Sequence, residues 1–290
     1  MSDLLDAIND LEREEKPETI VRAPFAYPGS KGRSVQFLLE HVPYGKVYVE
    51  PFGGSAALLL ARKKSKLEVY NDRFGGVVCF YRCIRDRKKL ESLIERLEFT
   101  IHAREEFIWS WKTWQAVEDE VERAARWYYS VIYSFGSIGR SWGRATKATA
   151  GLAGRIHAKL PEFFPLHERL RNVQIDNRDW RECIADYDSE DTIYYLDPPY
   201  VDAFVGTYKH ELSQDDHRQM LEFVFGLKGT ACVSGYSNPL YEEQNWDERF
   251  EVQVMQSIRG MGETDGKNPN PRKDLKGQRG MVTEVLWIKK

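Results

Sequence analysis

No stretch of this chain is long and apolar enough to cross a bilayer as a helix, which removes the helical membrane proteins. Cysteine is scarce. The 4 cysteines are Cys79, Cys83, Cys183 and Cys232, and the one close pair has no second half of a zinc framework. Buried free thiols in a reducing compartment are expected, and no metal. Neither sign of charge dominates: the formal net charge is −3, so a nucleic-acid partner has to be argued from local charge. Phosphate-cradling loops are missing as well. "EPFGGSA" is not G-x-G-x-x-G and carries no phosphate-binding lysine at its helix start, and "PGSKG" is not G-x-x-x-x-G-K-[ST]. A nucleoside triphosphate is therefore disfavoured. The opening "MSDLLDAINDLEREEKPE" is acidic and polar, unlike a signal peptide or an anchor. The expectation is a soluble, cytosolic protein.

What is present is an α/β rhythm with an interruption. "GKVYVEPFGGSAALLLARKKS" reads as a strand, a tight Gly-Gly turn and a helix over the apolar run 56–61, with Ser55 as its cap. "KLEVYNDR" reads as a second strand ending in Asn71 and Asp72, so the unit is βαβ in a parallel sheet. Residues 86–135 turn helical, with Val121, Ala124, Ala125, Tyr128 and Ile132 at helical spacing. After about residue 172 strands return in "NVQIDNRDW", "TIYYLDPPY" and "GTACVSGYS", and "SQDDHRQMLEFVFGL" opens as a helix with a capping box of Ser213 and Asp216. "GMVTEVLWIKK" closes the chain as a strand. The expected division is a mobile or weakly helical tail at 1–20, a Rossmann-like α/β domain at 21–85 and 173–290, and a mostly helical insertion at 86–172.

Three loops carry the chemistry. The "EPFGGSA" loop follows the first strand, beside the switch point where open parallel sheets bind ligands. Asp72 ends the next strand, where an acid commonly accepts ribose hydroxyls. A turn and a helix cap explain these two equally well when each is taken alone. Together they suggest a cofactor with a nucleoside end, an amino-acid end and no phosphate. "DPPY" ends a buried-strand run. Two prolines fix φ and lack N–H groups, so the loop is stiff and its carbonyls are bare. Asp197 adds an acceptor and Tyr200 a ring face, which suits an amino group on a flat ring. His210 and His217 are expected at the surface or as capping residues, and Cys183 and Cys232 in strand-like runs of the core.

The segments "PFAYPGSKGR", "YVEPFGGSAAL", "NDR", "DW", "DPPY" and "VSGYSN" stand in the order found in Dam-like, class alpha N6-adenine DNA methyltransferases, which the chain resembles over roughly residues 23–290. The resemblance implies a Rossmann-like sheet that binds S-adenosyl-L-methionine (AdoMet). It implies that Tyr27 and Lys31 line the cofactor site, that Glu50, Pro51, Phe52, Gly53, Gly54 and Ser55 surround the methionine end, and that Asp72 holds the ribose. Asp179 and Trp180 are similar to an Asp-Phe pair near the cofactor adenine, with Trp in place of Phe. The resemblance further implies that Asp197, Pro198, Pro199 and Tyr200 form the catalytic loop, with Asp197 also near the cofactor. Ser30 departs from the family, which usually has a second glycine there.

The insertion supplies a partner. Residues 136–160 hold Arg140, Arg144, Lys147, Arg155 and Lys159 with no Asp or Glu, and Trp142 lies among them. Cations meet phosphates and arginine reads guanine edges, so Arg140, Trp142, Arg144, Lys147 and Arg155 are the expected contacts to double-stranded DNA. A second basic loop, 259–280, is a weaker candidate. The target adenine has to be flipped out of the duplex. The same amino-methyl chemistry on cytosine N4, RNA adenine or a protein amide stays open here, as does a catalytically silent AdoMet- or DNA-binding protein. A monomer or weak dimer in a bacterial cell, or a viral protein in its host, is expected, with a restriction endonuclease as an open counterpart.

Overall fold

The computed structural model describes residues 20–27, 29–134, 137, 139, 141–143, 151–200, 212–255 and 281–290. The expected tail up to residue 19, the loop 259–280, His210, Arg140, Arg144 and Lys147 lie outside the described residues.

Seven strands form one sheet: Val47–Glu50 (β1), Leu67–Asn71 (β2), Val173–Asp176 (β3), Thr192–Leu196 (β4), Thr230–Tyr236 (β5), Glu248–Met255 (β6) and Met281–Lys289 (β7). Their order is β3-β2-β1-β4-β5-β7-β6. The first five pair in parallel, and β7 runs antiparallel to β5 and β6. Parallel strands are covered on both faces, and every residue of "TIYYL" in β4 is buried. The order reverses between β1 and β4, which pair at Val49 and Tyr194. The crevice at the carboxyl ends of two such strands is where open sheets bind ligands. "EPFGGSA" follows β1 and "DPPY" follows β4, so topology brings both loops to one place.

Helices cover both faces. Val35–His41 (α1), Ala57–Ala61 (α2), Gly75–Arg85 (α3), Arg87–Glu98 (α4), Arg104–Thr113 (α5), Glu120–Ile132 (α6), Arg155–Lys159 (α7) and Phe163–Leu170 (α8) pack on one side. There Tyr48, Tyr70, Tyr195, Cys232, Leu286 and Ile288 of the sheet join one apolar cluster with them. The opposite face, with Val49, Val69, Tyr194, Leu196, Val233 and Trp287, packs against Trp180–Asp186 (α9), Gln214–Gly226 (α10) and Pro239–Glu242 (α11). The alternation is the two-residue period of a strand. Asp86 caps α4, Asp119 caps α6, and Ser213 with Asp216 forms the expected capping box of α10. Among the described residues no helix is long and apolar enough to cross a membrane.

Three local expectations need correction. Ser55 does not cap α2. Gly54 and Ala56 take φ of +48° and +53°, so α2 starts with Ala56 at its N-cap and no side-chain cap. The Ser55 hydroxyl bonds Ser30 Oγ instead, at 2.9 Å. His217 is fully buried on α10, its Nδ1 2.6 Å from Tyr241 Oη, because the helix turns that position inward. Cys183 is buried, but on α9 rather than in a strand; all four cysteines are free and buried.

One buried ion pair ties the helical segment to the sheet. Arg169 of α8 donates to Glu68 of β2 with both terminal nitrogens, at 2.5 and 2.8 Å. Both residues are about 5–6% exposed. Removing one partner of such a pair strands the other charge. Arg169→Met should therefore lower unfolding free energy by about 3 kcal/mol in urea titration, and a loss below about 1 kcal/mol would contradict this reading.

Candidate active site

The floor is built by β2 reaching into the loop after β1. Gly53 N donates to Asn71 O (2.7 Å), Asn71 Nδ2 to Pro51 O (2.9 Å), and Tyr70 Oη to Gly54 O (2.8 Å). A Cβ on Gly53 would lie 2.2 Å from the Tyr70 ring, so only glycine lets the loop close over it. Asp72 completes the bracket, accepting Gly54 N on Oδ2 (2.8 Å) and Phe74 N on Oδ1 (2.7 Å). Burial pushes the Asp72 carboxyl up to about 6 against those two bonds. Glu50 accepts from Tyr48 Oη (2.7 Å) and from Leu59 N (2.8 Å). Burial pushes it up to about 7.

A third loop docks on the same asparagine. Arg178 N donates to Asn71 Oδ1 at 2.9 Å. Asp179 follows, capping α9 through Arg181 N and pairing with Arg73 and Arg181. The buried Trp180 ring packs 6.0 Å from Phe52 and 5.3 Å from Phe223.

The DPPY loop closes the other side. Asp197 Oδ1 receives two donors, Lys31 Nζ (2.5 Å) and Ser234 Oγ (3.1 Å). Among the described residues no donor reaches Oδ2. Lys31 also donates to Tyr200 Oη (2.5 Å) and lies 4.9 Å from the centre of that ring, which is 4.4 Å from Tyr236. Glu284 of β7 sits 3.1 Å from the same ammonium. Pro198 is buried, and Pro199 and Tyr200 are half-buried. Burial works against the charge on Lys31, but Asp197, Tyr200 and Glu284 outweigh it and hold its pKa well above the usual value. Burial raises the Asp197 carboxyl, with Lys31 opposing.

The profile of the family described as D12 class N6 adenine-specific DNA methyltransferase matches residues 27–251, a span that holds all three loops. The chain belongs to that family. It is also 24% identical to the DNA N-6-adenine-methyltransferase of Escherichia phage P1, over 88% of this chain and 36% of the phage protein. The chain thus spans about a third of that relative's length.

In this D12-class chain the residues Tyr27, Lys31, Glu50, Pro51, Phe52, Gly53, Gly54, Ser55, Asp72, Asp179, Trp180 and Asp197 all line one cavity of about 400 Å³, as does Pro199. Its chemistry fits a nucleoside with a cationic end. Carboxylates offer acceptors for hydroxyl and ammonium groups, and Tyr27, Phe52, Phe74 and Trp180 give apolar walls. The cations in its lining are taken: Lys31 by Asp197 and Glu284, Arg73 by Asp179, Arg178 by Asp176 and Asp186, Arg181 by Asp179 and Asp216. A phosphate would have to break those pairs.

Other expected residues sit apart. Trp142 is half-buried, stacked 4.3 Å from His102 and packed near Phe107 and Tyr133. Arg155 opens α7 and is exposed. Sequence reasoning missed several residues here. Trp111, Trp114 and Trp127 add an aromatic wall to the cavity from the helical segment, and the only trace of it in the sequence is richness in tryptophan. Asn71 ends a strand by its sequence pattern, and its bracket over three loops has no sequence signal. Ser234 lay in "VSGYSN" without an assigned role, and Glu284 carried no signal.

Lys31→Met would leave Asp197 and Glu284 buried without a cation. The Asp197 carboxyl, already raised by burial, would then hold its proton to higher pH when folded. A carboxyl raised in this way costs nothing below its unfolded value of about 4 and increasingly more above it. The Tm deficit of Lys31→Met against wild type should widen from about pH 5 to about pH 8 in calorimetry. A deficit independent of pH would refute the shared pairing.

Proposed function

We propose that this protein transfers a methyl group from AdoMet to N6 of an adenine flipped out of double-stranded DNA, in the cytoplasm of a bacterial or virus-infected cell. The observation that carries this reading is the asymmetry of Asp197. One carboxylate oxygen is pinned by Lys31 and Ser234, and the other has no described donor, beside a proline pair and a fixed tyrosine ring.

The cofactor would lie on the β1 loop, with Asp72 accepting ribose hydroxyls and Asp179 and Trp180 beside its adenine. AdoMet, when bound, supplies an electrophilic methyl group on a sulfonium. The remaining work falls to the chain. The lone pair of adenine N6 is delocalised into the ring, so N6 is a poor nucleophile. Asp197 Oδ2 and the Pro198 carbonyl oxygen accept its two N–H groups and return electron density to nitrogen. Tyr200 stacks on the ring; its hydroxyl is held by Lys31, so the stacking surface is set before substrate arrives. Orientation and preorganised acceptors supply the rate. Flipping costs a few kcal/mol, which stacking and phosphate contacts offset. Residues 86–172 act as the target-recognition insertion, and Arg140, Trp142, Arg144, Lys147 and Arg155 are its proposed DNA contacts.

DNA exposed to the protein and AdoMet, then sequenced with detection of modified bases, should carry N6-methyladenine at one short motif. Methylcytosine or no modification would overturn the reading. Asp197→Ala should reduce transfer by at least about a hundredfold while DNA binding persists. Full activity of that variant would sink the mechanism.

Asp72 gives a pH test. Burial pushes its carboxyl up to about 6, and the ionised form is the stronger acceptor for ribose hydroxyls. AdoMet affinity by calorimetry should be level above about pH 7. It should fall by up to about tenfold per pH unit below 6. Asp72→Asn should bind more weakly and have a shallower fall below about pH 6, any remainder belonging to Glu50, and an unchanged profile would remove the ribose role.

A further inference from the structure

Glu284 belongs to no motif in the sequence and lies beyond the matched residues 27–251. It is nevertheless 4% exposed and faces the reacting loop. The sheet register puts it opposite Tyr236 of β5 and Val252 of β6. Its Oε1 is 3.1 Å from Lys31 Nζ, which in turn is 2.5 Å from both Asp197 Oδ1 and Tyr200 Oη. One ammonium therefore serves two carboxylates and a phenol.

The charge count gives this arrangement its consequence. Lys31 paired with Asp197 alone would make a neutral couple, and a neutralised carboxylate is a weaker acceptor for an amine. A second carboxylate on the same ammonium leaves one negative charge in the cluster. The other groups facing Asp197 do not provide it. Tyr200, Tyr195 of β4, and Ser234 and Tyr236 of β5 are neutral hydroxyl groups. Glu50 of β1 accepts from Tyr48 Oη and Leu59 N and, among the described residues, makes no ion pair with Lys31, whose partners are Asp197 and Glu284.

We propose that Glu284 is a positioning residue for methyl transfer: by sharing Lys31 it preserves the negative charge that Asp197 presents to the target amine, and it holds the ammonium where Asp197 and Tyr200 are both tethered. The inference rests on the methyl-transfer reading above. The Asp197 carboxyl is raised by burial first and, with Lys31 opposing, by Glu284 as a like charge.

Single-turnover methyl transfer by the full chain, measured across pH, tests it. In Glu284→Gln the plateau rate should fall about tenfold, and the acidic limb should move down by about one pH unit, because the like charge that raised Asp197 is gone. Calorimetric affinities for AdoMet and DNA should stay within about twofold. A side chain that only packs would alter stability and leave the limb in place, so an unmoved limb overturns the proposal, as does loss of cofactor or DNA binding at an unchanged rate. If Glu284→Gln fails to fold, Glu284→Asp carries the test: its shorter carboxylate should lower the rate and shift the limb part-way, and wild-type behaviour overturns the proposal. Absence of methylation by the wild-type chain overturns the underlying reading instead, so the two failures are distinct.

Discussion

One buried ammonium fixes the reactive end of this molecule. Lys31 enters from the N-terminal loop and meets Asp197 and Tyr200 after β4, and Glu284 on β7. Taking a lysine head group out of water costs several kcal/mol, and only well-placed acids offset that. The loops that carry those acids are therefore held in one arrangement. Ser234 and Tyr195 extend the same polar strip across neighbouring strands, with Ser234 bonded to Asp197 and 3.0 Å from Tyr195 Oη. The stiffness that two prolines give the DPPY loop is thus anchored from below.

A second bracket stands a few residues away. Asn71 is fully buried and spends its amide on Pro51 and on both backbone groups of Arg178. Tyr70 and Asp72 hold Gly54 from either side of it. Three loops from β1, β2 and β3 are joined by one side chain and its neighbours. The protein's own hydrogen bonds hold the loop geometry, and preorganisation of that kind lets binding energy serve orientation.

The helical segment at residues 86–172 is not a detached appendage. Its Trp114 and Trp127 approach Phe74 at 5.5 and 6.4 Å, and its Arg169 grips Glu68 of the sheet. Apolar contacts and the buried pair place its aromatic wall against the cavity. In the proposed reading this sets how a base presented by the helical segment meets the DPPY loop.

Local sequence determined the parts whose causes are local. Alternation and β-branched or aromatic runs marked β1 to β5 and β7. "EPFGG" marked a glycine turn, "SQDD" a capping box, and "DPPY" a stiff acceptor loop, because each depends on backbone preferences of adjacent residues. The motif order also named many of the loop residues that line the cavity, but not its tryptophans from the helical segment. The tertiary structure decided the rest. The strand β6 alternates Phe250, Val252 and Val254 with polar residues, but its place at the sheet edge comes from β7, which begins 26 residues after β6 ends. Ser55 followed the cap rule in sequence and lost it to two positive φ values beside it. His217 looked exposed until α10 turned it inward. Asn71, Ser234 and Glu284 owe their roles to groups up to 253 residues distant, as with Lys31 and Glu284. A buried charge takes its meaning from whichever partner the fold delivers, and no local pattern records that delivery.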